Sequence, residues 1–113
     1  MLFVEYCEEK GILCLSLEGH AETAPKGEDL VCAAASVLAY TAAYCLEVLH
    51  NAEKLEGEIL NSLSPGDCLL LCKPKPEHMA EVTAMLKTVL YGFVLLQQSY
   101  PEAIAVHIEK DNR

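Results

Sequence analysis

Residues 2–8 and 12–18 are apolar-rich runs of β-forming side chains that flank the polar Glu9-Lys10-Gly11. Two such runs joined by a short polar break predict a β-hairpin. In the second run Leu13, Leu15 and Leu17 alternate with Ile12, Cys14 and Ser16, so the three leucines are expected to face the core. Residues 19–28, punctuated by Gly19, Pro25 and Gly27, read as a mobile loop. Asp29 is placed to cap a helix over 30–51, because its carboxylate can accept from free N–H groups of the first turn. Ala34, Val37, Leu38, Thr41, Cys45, Val48 and Leu49 fall near helical spacing and form the expected inward stripe. That helix is so apolar that its opposite face should also be covered, by a sheet or a partner subunit. A second hairpin is expected from 55–61 and 67–73 across Ser64-Pro65-Gly66. Lys73-Pro74-Lys75-Pro76 breaks the chain before a second long helix from Glu77 to about Ser99. Its stripe is Met79, Val82, Met85, Leu86, Val89, Leu90 and Phe93, and Tyr100-Pro101 ends it. Residues 103–109 alternate as a last strand. The order ββαββαβ predicts a single two-layer α+β domain over 1–113, with a mostly antiparallel sheet and two long helices.

Composition narrows the function. The 113 residues carry 17 acidic and 8 basic side chains, a net charge of −9, and Arg113 is the one arginine. A binder of nucleic acid needs clustered cations, so that class is excluded. The apolar share of 52% supports a core and excludes disorder. No uninterrupted apolar run approaches a bilayer-spanning length, and the N-terminal residues lack the pattern of a secretory signal, so no membrane role is expected. Six cysteines without a secretory signal point to reduced thiols in the cytoplasm. Cys68 and Cys72 are spaced without a matching second pair, so a structural zinc is not expected.

The chemistry concentrates in Gly19-His20-Ala21 and Gly27-Glu28-Asp29-Leu30-Val31-Cys32-Ala33-Ala34-Ala35-Ser36. His20 sits where a strand opens into a loop, and Cys32 in the first turn of a capped helix. Free N–H groups and the helix dipole stabilise a thiolate there, as does a neighbouring imidazolium. Cys32 and His20 therefore form a candidate nucleophile and base. The same N–H groups are candidate oxyanion donors. Asp29 caps the helix and is also placed to orient His20. Ser36 lies one turn beyond Cys32, where a hydroxyl commonly bonds back to a helix carbonyl. Gly19 and Gly27 supply backbone freedom beside the loop. Ala21, Ala24 and Leu30 are candidates for contact with an apolar substrate side chain. Cys45, Cys68 and Cys72, together with Cys7 and Cys14, read as packed residues. His50, His78 and His107 have no partner that the sequence can place.

This motif pair resembles the ribosomal-processing cysteine protease family (Prp). The ββα opening and Tyr100-Pro101 before the final strand extend the likeness over most of the chain. The resemblance implies a cysteine endopeptidase without metal or cofactor, with His20 and Cys32 as the catalytic pair and Asp29 and Ser36 at supporting positions. It implies a loop, here 21–28, that reorders around substrate and includes Ala21, Glu22 and Gly27. Glu22 departs from the family, which commonly carries a small glycine there. The implied substrate is the short N-terminal extension of a bacterial large-subunit ribosomal protein, cut after an apolar motif containing Phe. The implied assembly is a homodimer. Two other readings stand beside it: a non-catalytic dimeric module that binds a ribosomal protein or assembly factor, and a redox-sensing thiol protein.

Overall fold

The computed structural model describes residues 1–20 and 29–109. Strands β1 (Leu2–Glu9) and β2 (Ile12–Gly19) precede helix α1 (Leu30–Asn51). Strands β3 (Leu60–Ser64) and β4 (Asp67–Cys72), a 3-10 turn (Pro76–His78), helix α2 (Met79–Ser99) and strand β5 (Ile104–Glu109) complete the chain. This is the expected ββαββαβ order. The sheet runs β3-β4-β2-β1-β5, and every pairing is antiparallel except β1 with β5.

Turn chemistry sets the two hairpins. Lys10 and Gly11 both have positive φ, 52° and 78°, as a two-residue hairpin turn matched to strand twist requires. Pro65 followed by Gly66 at φ 74° meets the needs of a type II turn between Ser64 and Asp67. Two elements differ from expectation in their bounds: α2 starts at Met79 after the 3-10 turn instead of at Glu77, and the third strand is displaced. The strand before the Pro65-Gly66 turn starts at Leu60, and Leu55 instead makes a lone bridge with Pro74. Gly57 at φ 64° turns the backbone away between the two, so the ladder restarts beyond it.

One face of the sheet carries the core. Leu13, Leu15 and Leu17 point inward as predicted, beside Leu2, Val4 and Tyr6, Cys68, Leu70 and Cys72, and Ile104. Tyr6 is fully buried, and its hydroxyl donates to Glu8 Oε1 at 2.8 Å. Burial, with the Glu8 carboxylate, pushes this phenol well above its usual range. Helices α1 and α2 pack on each other over this face. Their contact is close because Gly92 lies under Leu38, where a Cβ would sit 2.6 Å from Leu38 Cδ2.

The inward stripe of α2 is as expected: Val82, Leu86, Val89, Leu90 and Phe93 are buried, and Met79 and Met85 pack at its edge. That of α1 is not. Its buried face is Val31, Ala35, Ala39, Ala42, Ala43, Leu46 and Leu49. Of the predicted set only Leu49 is fully buried; Ala34, Leu38 and Cys45 are half-buried, and Thr41 is exposed. Val37 is 65% exposed and Val48 46%. The reason is size. The helix lies close to the sheet and to α2, so the inner face takes alanines and the bulkier residues turn outward. Both helices are long and apolar enough to cross a membrane by length and composition. Here each lays one face on the sheet and core.

Ala42 is fully buried, so Ala42→Leu should overpack the helix–sheet layer and cost about 1–3 kcal/mol. Val37→Leu should change stability by less than about 0.5 kcal/mol. Urea unfolding of the two variants checks which face of α1 is inward.

Candidate active site

Local structure places the thiol. Asp29 is extended at φ −80° and ψ 100°, and its Oδ1 accepts the Cys32 N–H at 3.0 Å. Its carbonyl accepts the Ala33 N–H at 3.1 Å and starts the helix. The cap role expected for Asp29 is thus the observed geometry. It also engages the Cys32 N–H, one of the candidate oxyanion donors. Val31, next to Cys32, is buried against Ala103, and Cys32 packs on the same pair. Ala103 is held by the turn after α2, where its N–H donates to Tyr100 O at 2.9 Å. Tyr100-Pro101 therefore does more than end a helix: it delivers the residue that seats the first turn of α1. Ser36 Oγ donates to Cys32 O at 2.8 Å, the back-bond predicted for it.

His20 follows the last residue of β2 and is exposed. Gly19 has φ 95°, with Met1 O against its α-carbon on the side a Cβ would occupy. Its N–H donates to Gly66 O at 2.9 Å, which ties the end of β2 to the β3–β4 turn. The His20 ring lies over that turn.

His20 and Cys32 line one cleft of about 240 Å³. Gly19 and Ser36 join them in its lining, and Asp29 stands behind Cys32 as its cap. Ala21, Glu22, Ala24 and Gly27 lie outside the described residues. Leu30, a candidate substrate contact, is 75% exposed and does not line the cleft. Four groups of lining residues are not assigned to the site by the sequence reading. Leu2 and Leu17 come from the sheet, Ala35, Ala39 and Tyr40 from α1, Leu63 and Cys68 from the second hairpin, and Ser64, Pro65, Gly66 and Asp67 from its turn. The walls are thus mainly apolar, with imidazole, thiol, hydroxyls and one carboxylate at polar points. Strand alternation, helix periodicity and a Pro-Gly turn signal mark these groups as structural, and none of them carries information about which strand end the turn will meet.

The remaining thiols differ. Cys68 and Cys72 are buried on the inner face of β4. Burial pushes Cys68 upward, helped by Asp67, and raises Cys72 to about 11. Cys7 and Cys14 are direct cross-strand neighbours on the outer sheet face, and both are shifted upward, chiefly by desolvation. None of the six cysteines is joined in a disulfide. Among the described residues no three His, Cys, Asp or Glu side chains gather as a metal site.

The fold and cleft define a small two-layer α+β protein with a thiol at a helix start and an imidazole in the same groove. The chain belongs to the Prp cysteine protease family, whose model matches residues 1–105. Two solved structures of the ribosomal processing protease Prp from S. aureus share the fold. One, with a covalently linked product peptide, has 20% identity and a TM-score of 0.70, covering 96% of this chain and 99% of that one. The other, with a substrate peptide, has 19% identity and a TM-score of 0.65, with the same coverages of 96% and 99%. SMU.848 from Streptococcus mutans is similar at 25% identity and a TM-score of 0.68, covering 98% of this chain and 96% of that one. No curated protein sequence matches the chain.

A raised thiol stays protonated at neutral pH and becomes nucleophilic only as pH climbs toward its shifted value. Limiting iodoacetamide at neutral pH should therefore label Cys32 and leave Cys68 and Cys72 unmodified. Labelling of Cys72 should appear as pH rises toward about 11. Peptide mapping by mass spectrometry reads the order, and equal labelling of all three at neutral pH would refute it.

Proposed function

We propose that this protein is a cysteine endopeptidase that removes the N-terminal extension of a bacterial large-subunit ribosomal protein, with Cys32 as nucleophile and His20 as base and acid. The carrying observation is that Cys32, in the first turn of α1, and His20, at the end of β2, share one peptide-sized cleft. Family membership supports the reaction class. The Cys32 thiolate attacks the scissile carbonyl carbon. His20 gives its proton to the departing amine, leaving an acyl-enzyme. Water then attacks the thioester while His20 takes its proton, and the product carboxylic acid leaves with the Cys32 thiolate and protonated His20 restored. The apolar walls from Leu17, Ala39, Tyr40 and Leu63 suit the Phe-containing motif that the family resemblance implies.

Charge supports a basic substrate and argues against a nucleic-acid partner. The chain carries −9, and Glu18 and Asp67 pair directly across β2 and β4, with Asp67 at the cleft. Such a surface attracts a cationic ribosomal protein and repels RNA. We place the reaction in the cytoplasm, where reduced thiols persist. We also assign a homodimer. Val37, Tyr40 and Tyr44 on α1 and Tyr91 and Leu95 on α2 are all more than half exposed, and a second copy of the chain would cover them.

Cleavage of a ribosomal-protein extension peptide tests the reaction. Cys32→Ala and His20→Ala should each lower kcat by about 10³-fold or more, and the double variant by little beyond that. Full cleavage by Cys32→Ala would refute the mechanism. For wild type, kcat/KM should fall as salt rises, and salt-independent rates would remove the electrostatic contribution. Sedimentation should show a dimer that Tyr44→Glu converts to monomer.

A further inference from the structure

We propose that Gly66, in the β3–β4 turn, is a positioning residue that seats the His20 imidazole; this rests on the reading of Cys32 and His20 as the catalytic pair. A Cβ built on Gly66 would lie 2.6 Å from His20 Nε2, 2.9 Å from Cε1 and 3.5 Å from Cδ2. All three distances concern the ring itself, so the imidazole occupies the space beside Gly66 that any side chain would fill. A second link holds the same two segments together. Gly66 O accepts the Gly19 N–H at 2.9 Å, fixing the backbone immediately before His20. The β2–β4 ladder ends at Glu18 opposite Asp67, so Gly19 and His20 are the first residues beyond it. On the other side Gly19 still pairs with Leu2 of β1, so the turn adds a second hold on the backbone just before His20.

The turn's own chemistry does not account for a glycine here. Gly66 has φ 74°, a conformation that asparagine also adopts at this position of a type II turn. What asparagine cannot do is leave out the Cβ. Glycine is therefore required at position 66 by the His20 ring, while the backbone asks only for a residue that tolerates positive φ. The polarity of the arrangement also matters. The ring is held from one side by rigid hairpin backbone, which removes rotamer freedom from a side chain that is otherwise exposed. Such preorganisation acts on the rate of the chemical step more than on substrate binding.

The experiment compares Gly66→Asn and Gly66→Ala with Gly57→Ala, using the extension peptide. Gly57 has a similar positive φ of 64° but no atom within 4 Å of an added Cβ, so it reports backbone strain alone. Both Gly66 variants should lose about 10²-fold in kcat, with KM within about twofold of wild type. Gly57→Ala should keep wild-type kcat while losing stability comparably to Gly66→Ala. Wild-type kcat in either folded Gly66 variant would overturn the proposal, as would a rise in KM alone, which marks a blocked cleft. A nuclear Overhauser effect between a Gly66 α-proton and the His20 Cε1 proton in wild type tests the contact without any variant, and its absence would also overturn the proposal. Cys32→Ala and His20→Ala run beside these: undiminished cleavage there refutes the catalytic pair, whereas loss there with full activity at Gly66→Asn refutes only the seat.

Discussion

Close packing of a small-residue helix face on the sheet is the constraint on which the rest of this structure depends. Ala35, Ala39, Ala42 and Ala43 let α1 settle near the inner faces of the strands and α2. Larger side chains along that row would lift the helix away and carry Cys32 with it, because cores tolerate little added volume. Two of these alanines, Ala35 and Ala39, also line the cleft. The helix is thus anchored by the same surface that shapes the groove beside its first turn. Its start is then fixed twice more, by the Asp29 cap and by Val31 against Ala103.

The two halves of the site are held by different kinds of force. Cys32 is placed by burial and helix geometry, in a turn with apolar neighbours on one side. His20 sits beyond the end of a ladder, and its surroundings are backbone: a positive-φ glycine before it and a hairpin turn against its ring. Apolar packing holds a helix start firmly, whereas a strand end needs directed hydrogen bonds to hold a direction. The Gly19 to Gly66 bond supplies that. The β3–β4 hairpin therefore borders the cleft as β2 and α1 do, although it carries neither Cys32 nor His20.

The six cysteines divide by environment. Cys68 and Cys72 serve as small apolar core residues, and burial suppresses their ionisation. Cys32 lies at a cleft, half-buried, on a capped helix turn. Cys7 and Cys14, on the outer sheet face, are pushed upward by desolvation and by nearby carboxylates. The net charge acts at longer range and concerns which molecules approach, without affecting the fold.

Much was legible in the linear sequence. Alternation gave the β1–β2 hairpin and its inward leucines, periodicity gave α2, and Asp29 marked the start of α1, because each depends on residues within a few positions of one another. The order ββαββαβ followed from these. The inward face of α1 was misjudged toward Val37 and Val48, since periodicity weighs hydrophobicity while the interface selected for size. The start of β3 was misjudged because Gly57 interrupts a run that composition alone would continue. His20 and Cys32 stood out through their local settings, a strand end and a helix start. That Ala103 would seat the thiol's turn, and that Gly66 would lie beneath the imidazole, depended on contacts between residues far apart in the chain. Local sequence determines elements and their ends; only the tertiary structure decides which distant backbone meets a reactive side chain, because that choice is made by packing of whole layers.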